Sequence, residues 1–287
     1  MIGLAISPQE ALILGMLVAG LLALVAAGLL RWLRAGRVWT DLLVPAFFLV
    51  AYWLVYNKVP SFPPVGAVNK IFYIAAIGTV LGVLADLAGH RWLGRALILL
   101  QPVASAAFIG AALLPDAVLE VAAAALSGLL VMYLVSGGMG RAQDESDVRR
   151  AVLLGITCAG FAPIALLGAS SSSFQLSLLL AAAIAGIVAS NLSNPNFAFG
   201  SASLLGGAGG MIAVAQTVTL ITRKTDMLAL AMLALVFFAP LAVDPLLRRI
   251  RISNKLVRIA AFAAMCLLLV SASLVTVVAR YGSSFPV

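Results

Sequence analysis

Charged residues are scarce along the whole chain. Only 10% of its 287 residues are charged, whereas 63% are hydrophobic. A soluble globular domain has roughly 25% charged and 45–50% apolar residues. A soluble fold is excluded, because the chain has too little polar surface to cover so much apolar material. The composition predicts an integral membrane protein whose partners include membrane lipids.

Metal-binding and catalytic residues are also rare. The chain has one histidine and two cysteines, Cys158 and Cys266, and both cysteines lie in apolar runs. A Cys/His zinc site of ordinary spacing and a disulfide framework are therefore not expected. The sequence also lacks a phosphate-binding Gly-x-x-x-x-Gly-Lys-Ser/Thr, a Gly-x-Ser-x-Gly and an Asp-rich cluster that would hold Mg²⁺. We predict no cofactor, no metal and no catalysis by this chain alone.

The basic residues lie between the apolar runs, mainly near residues 31–37, 91–95 and 248–258. The net charge of +8 is therefore interpreted as a topology signal facing anionic lipid and not as a nucleic-acid site. No Lys or Arg precedes Arg31, so the N-terminus lacks the basic region of a cleavable signal peptide. The first apolar run is predicted to be a retained membrane span.

About ten apolar runs are long enough to cross a bilayer, which takes about 20 residues as a helix. They predict an all-α polytopic bundle, a single transmembrane domain over residues 1–287. The predicted spans are Ala11–Leu33, Trp39–Asn57, Lys70–Ala88, Leu93–Leu114, Asp116–Gly137, Ala151–Gly168, Phe174–Asn191, Ser203–Thr222, Met227–Leu247 and Leu256–Arg280.

Orientation follows from the positions of the 18 Lys and Arg residues. Most of them fall in alternate connectors, which are the cytoplasmic ones if both termini lie outside. The connector between the seventh and eighth spans is uncharged, so a miscounted span there would reverse the second half. The chain also has the parity of two five-helix halves split near residues 138–150, as in transporters with inverted repeats, and this division is a hypothesis only.

The stretch from residue 151 to residue 222 contains no charged residue. Its polarity comes from neutral side chains and glycines, which membrane proteins use for close helix contacts and broken helices. Two interpretations remain open, a packing face and a discontinuous helix that lines a substrate path. The candidate path residues are Asn191, Asn194, Asn196, Gly206, Gly207, Gly209, Gly210 and Gln216.

The glycine run predicts its own pattern of sensitivity. Gly206 and Gly210 are four residues apart and share a helix face, so a Leu at either position is expected to be damaging. At least one of Gly207 and Gly209 is expected to tolerate Leu.

The connector between the second and third spans carries Lys58, Pro63, Pro64 and Lys70. Its prolines predict a stiff loop, and its lysines predict snorkelling to the interface. A functional alternative is an external lid or a cationic mouth that attracts anionic molecules.

Acidic residues at membrane depth are costly and often functional. Glu120 and Asp244 are predicted to lie in apolar surroundings and are the candidates for a proton or cation relay. Asp41 and Asp86 are interpreted as interfacial charges that pair with a neighbouring Arg.

Three functional hypotheses are compatible with these patterns. The first is a permease-like protein of a bacterial-type inner membrane that moves a small solute or a lipid-like molecule. The second is a non-catalytic membrane subunit that docks partner membrane proteins or a second copy of itself. The third is an enzyme acting on lipid headgroups or lipid-linked glycans, which would need carboxylates that converge on an outer-face cleft.

Overall fold

The computed structural model describes residues 7–136, 143–192, 197–250 and 254–281, and within these ranges the protein is an all-α bundle. Its helices are α1 (Pro8–Trp32), α2 (Arg37–Tyr56), α3 (Ala67–Ala88), α4 (Arg91–Ile109), α5 (Val118–Ser136), α6 (Gln143–Leu167), α7 (Ser171–Asn191), α8 (Ser203–Thr222), α9 (residues 227–250) and α10 (Lys255–Tyr281).

Nine helices in the described ranges are long and apolar enough to cross a membrane, and α9 supplies a shorter apolar stretch, Met227–Val243. The predicted all-α membrane bundle is confirmed. Helix α9 changes to 3₁₀ geometry at Leu235–Phe238. Pro240 lies two residues after this segment, and its ring cannot fit against the carbonyl four residues earlier, that of Val236, in a regular α-helix.

Helix ends follow local chemistry. Ser7 and Glu10 form a capping box at the start of α1, so the first free backbone amides are satisfied. Asn57 follows α2 and Gly89 follows α3, and both cap residues are in the left-handed conformation, which these residue types adopt at low cost. Helix α4 ends at Ile109, before Gly110, and is therefore shorter than predicted.

The bundle is arranged around α8. In an apolar stretch of 18 residues within α8, 72% of the residues are buried, whereas 17% are buried in the corresponding stretch of α1. Helices α2, α3, α4 and α5 pack around α8, α1 packs mainly on α7, and α6 packs between α7 and α10. Helices of the two predicted halves therefore contact each other throughout, while the repeat itself stays a prediction.

Polar contacts define the two ends of the bundle. At one end, Arg31 Nη1 donates to the Ser190 carbonyl at 2.5 Å and Arg37 pairs with Asp147 at 3.1 Å. At the other end, Arg223 pairs with Glu120 at 2.9 Å. The C-terminal end of α7, at Ser190, thus lies at the same end of the bundle as Arg31 and Arg37, as the predicted order of ten spans requires. The predicted orientation assumes that successive connectors alternate between the two ends of the bundle, and this position agrees with that assumption.

The predicted orientation, with both termini outside, can be tested by thiol labelling. Val59 is 88% exposed in the α2–α3 connector, and Asn254 is exposed before α10. We expect Val59→Cys to react with an impermeant maleimide from outside intact cells, and Asn254→Cys to react only after permeabilisation. Both native cysteines are buried, which keeps the background low. The reverse labelling pattern would invert the orientation.

Candidate functional site

A non-helical segment, residues 197–200, enters the bundle before α8. Phe197, Ala198 and Phe199 are all buried. Irregular backbone that is buried away from water requires a partner for each amide. This segment therefore depends on side chains from other helices.

Asp41 supplies most of those partners. Its carboxylate is buried and accepts hydrogen bonds from the amides of Gly200 at 2.6 Å, Ala202 at 2.9 Å and Ser203 at 3.1 Å. The Ser203 hydroxyl donates to the Asp41 carbonyl at 2.8 Å. A carboxylate at the N-terminus of a helix satisfies free amides and interacts favourably with the helix dipole. Asp41 thus fixes the start of α8 against α2.

Three further side chains complete this cap. Asp86 accepts from the Ser201 amide at 3.2 Å, and Thr40 Oγ1 accepts from the Ala198 amide at 3.2 Å. Arg150 donates to the Phe199 carbonyl at 3.4 Å and pairs with Asp147 at 3.2 Å. We call Thr40, Asp41, Asp86 and Arg150 the α8 cap. It joins α2, α3 and α6 at the end of the bundle that carries Arg31 and Arg37.

Helix α8 itself is irregular. Residues Ser203–Ala208 and Val218–Thr222 are π-helical and flank an α-helical centre, Gly209–Thr217. Short π-helical segments are uncommon and occur frequently at functional sites. Helix α8 is therefore continuous but irregular in its first and last turns, and it follows a non-helical segment. The discontinuous-helix interpretation stays a prediction.

The glycine run lies against side chains of three neighbouring helices. A Cβ on Gly206 would overlap the Thr79 hydroxyl, and one on Gly207 would lie 2.5 Å from Val44 Cγ1. One on Gly209 would lie 2.6 Å from Gln101 Nε2, and one on Gly210 would lie 2.8 Å from Phe48 Cζ. Close packing therefore occurs at all four positions. Only Gly209 contacts the flexible end of a side chain, which makes it the better candidate for tolerance, while Gly207 contacts a stiff β-branched residue.

A neutral polar cluster lies beside the centre of α8. Gln216 Nε2 donates to the carbonyls of Pro102 at 2.9 Å and Ala124 at 3.3 Å, and the Ser105 hydroxyl donates to Gln216 Oε1 at 2.6 Å. The amide nitrogen and oxygen of Gln216 therefore both have hydrogen-bond partners, and these partners link α8 to α4 and α5. Gln101, one turn before Ser105, has both amide atoms buried without a hydrogen-bond partner in the described part of the chain.

The predicted path residues do not meet around one point. Asn191 is buried, and its amide donates to the Ile187 carbonyl at 2.8 Å within its own helix. Gln216 lies in the neutral cluster, and the four glycines lie between α2, α3 and α4. Asn194 and Asn196 lie outside the described residues.

The predicted surroundings of Glu120 are wrong. Its side chain is 52% exposed and pairs with Arg223, because α5 begins only at Val118 and places it in the first turn. An exposed carboxylate paired with an arginine is poorly placed for a proton or cation relay inside the bundle. The relay role of Glu120 stays a prediction. The side chain of Asp244 lies outside the described residues, so that prediction also stays open.

Of the two lysines predicted for the α2–α3 connector, only Lys58 lies in it, because α3 begins at Ala67 and includes Lys70 in its first turn. Lys70 Nζ donates to the Phe108 carbonyl at 2.6 Å and lies 5.0 Å from the centre of the Phe108 ring. Lys58 is exposed. Pro63 and Pro64 lie in the same loop, where Phe62 contacts the Tyr73 ring. These contacts agree with a stiff interfacial loop, and its role as a lid stays a prediction.

The sequence interpretation missed the contacts of Asp41 with residues 200–203 and the buried, unpartnered amide of Gln101. Asp41 was assigned to an interface because it begins an apolar run, and nothing local shows that residues 200–203 return to it. Gln101 carried a usable signal, since it is the only polar residue other than serine between residues 96 and 114 and directly precedes Pro102. Within the described ranges, no group of three His, Cys, Asp or Glu residues could hold a metal ion.

The fold and this site define a polytopic helical membrane protein with an irregular central helix that follows a buried non-helical segment. The chain matches no protein-family model, no curated protein and no solved structure. Its function is therefore argued from its own residues.

Proposed function

We propose that this protein is a permease-like transporter of a bacterial-type inner membrane, which moves a small solute or a lipid-like molecule along α8. The observation that carries the proposal is the buried central helix, which has π-helical first and last turns and follows a buried non-helical segment. Secondary transporters build their substrate sites from discontinuous helices near the centre of the bundle, where irregular backbone is tolerated. Helix α8 is continuous, but its first and last turns are π-helical, and it is the most buried of the spans in the described part of the chain.

The position of the polar groups supports transport over the two alternatives. A docking subunit would carry its polar residues on outward-facing surfaces, whereas Gln216, Ser105 and the amide of Gln101 lie inside the bundle. A headgroup enzyme would need carboxylates on an outer-face cleft. Asp41 and Asp86 converge at the opposite end under the predicted orientation, and there they bind backbone amides.

Reconstitution into liposomes tests the proposal. We expect the protein to accelerate osmotic swelling in at least one of urea, glycerol, glucose, acetate and methylammonium, or the transbilayer movement of a fluorescent phospholipid, above protein-free vesicles. Gly209→Ala adds a methyl group at the centre of α8 against a movable side chain. We therefore expect it to insert normally and to lower that rate by about tenfold, which corresponds to about 1.4 kcal/mol in the barrier.

The matched control is Gly28→Ala in α1. A Cβ there meets nothing within 4 Å, so the rate should remain that of the wild type. Rates equal to those of protein-free vesicles for every probe would refute the transport proposal. Equal rates for wild type and Gly209→Ala would remove α8 from the path.

A further inference from the structure

Gln101 lies at the middle of α4 with its amide against the backbone of α8. If Gly209 carried a Cβ, that atom would lie within 3.0 Å of Gln101 Nε2, Cδ and Oε1. Both polar atoms of this amide are buried and have no hydrogen-bond partner in the described part of the chain. The amide therefore faces the glycine run directly, next to the π-helical segment Ser203–Ala208.

An unpartnered amide is unfavourable in a membrane interior. A primary amide offers two donor hydrogens and an acceptor oxygen, and leaving them unpaired away from water incurs the full desolvation cost. Gln216 shows the usual solution in the same bundle, since it fills its capacity with Ser105 and two backbone carbonyls. Gln101 is one helical turn from Ser105 yet takes no part in that arrangement.

The surroundings of Gln101 are uncharged. Residues 42–57, 71–85, 96–114, 121–136 and 201–222, which form the middle of α2, α3, α4, α5 and α8, contain no Asp, Glu, Lys or Arg. The Thr79 hydroxyl beside Gly206 adds another neutral polar group. A charged molecule would lack a counter-charge here, and burying an unpaired charge is far more costly than burying a neutral polar group.

We propose that Gln101 is the substrate-contacting residue of this transporter, and that the substrate is a small uncharged molecule with both a hydrogen-bond donor and an acceptor, such as an amide or a polyol. This inference rests on the proposed function. The amide of Gln101 pairs with the passing molecule through its donor and acceptor together, opposite Gly209, which carries no side chain. Gln216 holds the helices in place and does not contact the substrate.

Two methionine variants separate a contact role from a structural role. Gln101→Met keeps the approximate volume and removes only an unpartnered amide, so its midpoint of thermal unfolding in detergent should equal or exceed that of the wild type. Gln216→Met breaks three hydrogen bonds, so its midpoint should fall by roughly 5 °C or more. An equal fall for Gln101→Met would show that Gln101 is structural and overturn the inference.

The transport arm uses the same vesicles with urea, glycerol and glucose as neutral probes, and with acetate, methylammonium and a fluorescent phospholipid as contrasts. Wild type should move at least one neutral probe, and Gln101→Met should lower that rate by about tenfold. Movement of the contrast probes alone would overturn the substrate class while transport stands. An unchanged rate in Gln101→Met would overturn the contact. Movement of no probe would refute the proposed function and this inference with it.

Discussion

Asp41→Ala is expected to unfold the start of α8 and to destabilise the whole bundle. The substitution removes the acceptor of three backbone amides, those of Gly200, Ala202 and Ser203. Each buried amide left without a partner costs about 1–3 kcal/mol. The combined loss, about 3 kcal/mol or more, is a large fraction of the 5–15 kcal/mol that is typical of folded proteins. Thermal unfolding in detergent, followed by size-exclusion chromatography, should show a lower midpoint and less monodisperse protein.

Two matched variants locate the cause of that loss. Asp41→Asn keeps one oxygen, which can replace Oδ1 as the acceptor for Gly200 and Ser203, so it should retain part of the stability. Asp86→Asn alters an exposed side chain that accepts a single amide, and its effect should be small. A midpoint for Asp41→Ala equal to that of the wild type would mean that α8 begins without this cap.

Gly82→Ala is expected to separate α3 from α8. A Cβ at residue 82 would lie 2.5 Å from Ala202 Cα and 2.6 Å from Ser201 O. Both atoms belong to backbone, so no side chain can move aside. Gly78, one turn earlier, would likewise meet the Leu205 carbonyl. In a membrane, close packing of small residues is itself a main source of helix association. Overpacking costs about 1–3 kcal/mol and occasionally more, and we expect the upper end here.

Gly28→Ala is the matched control for the Gly82 substitution. Both glycines lie within membrane helices, and only Gly28 has open space at the Cβ position. Its replacement should leave the unfolding midpoint unchanged or raise it, since alanine favours a helix over glycine by up to about 1 kcal/mol. Equal yields and midpoints for Gly82→Ala and wild type would contradict the backbone contact between α3 and α8.

Glu120 and Asp41 show that hydropathy patterns do not predict the environment of an individual acidic side chain. Both residues lie close to the start of an apolar run, and the sequence predicts apolar surroundings for Glu120 and an interfacial position for Asp41. The chain places Glu120 in an exposed ion pair with Arg223. Asp41 is buried, and its carboxylate accepts hydrogen bonds from the amides of residues 159 to 162 positions later in the sequence. Such long-range partners leave no local trace in a single sequence.

The sequence by itself determined the membrane class, the helical architecture and the approximate spans, because the length of an apolar run must match the thickness of a bilayer. It also identified α8 as the unusual helix, since the run Gly206–Gly210 lies in the uncharged stretch of residues 151–222. Tertiary structure alone decided that Gln216 is saturated and Gln101 is not, and that Asp41 is the cap of α8. The physical reason is that a buried polar group depends on which distant partners reach it, and this is fixed only when the helices pack.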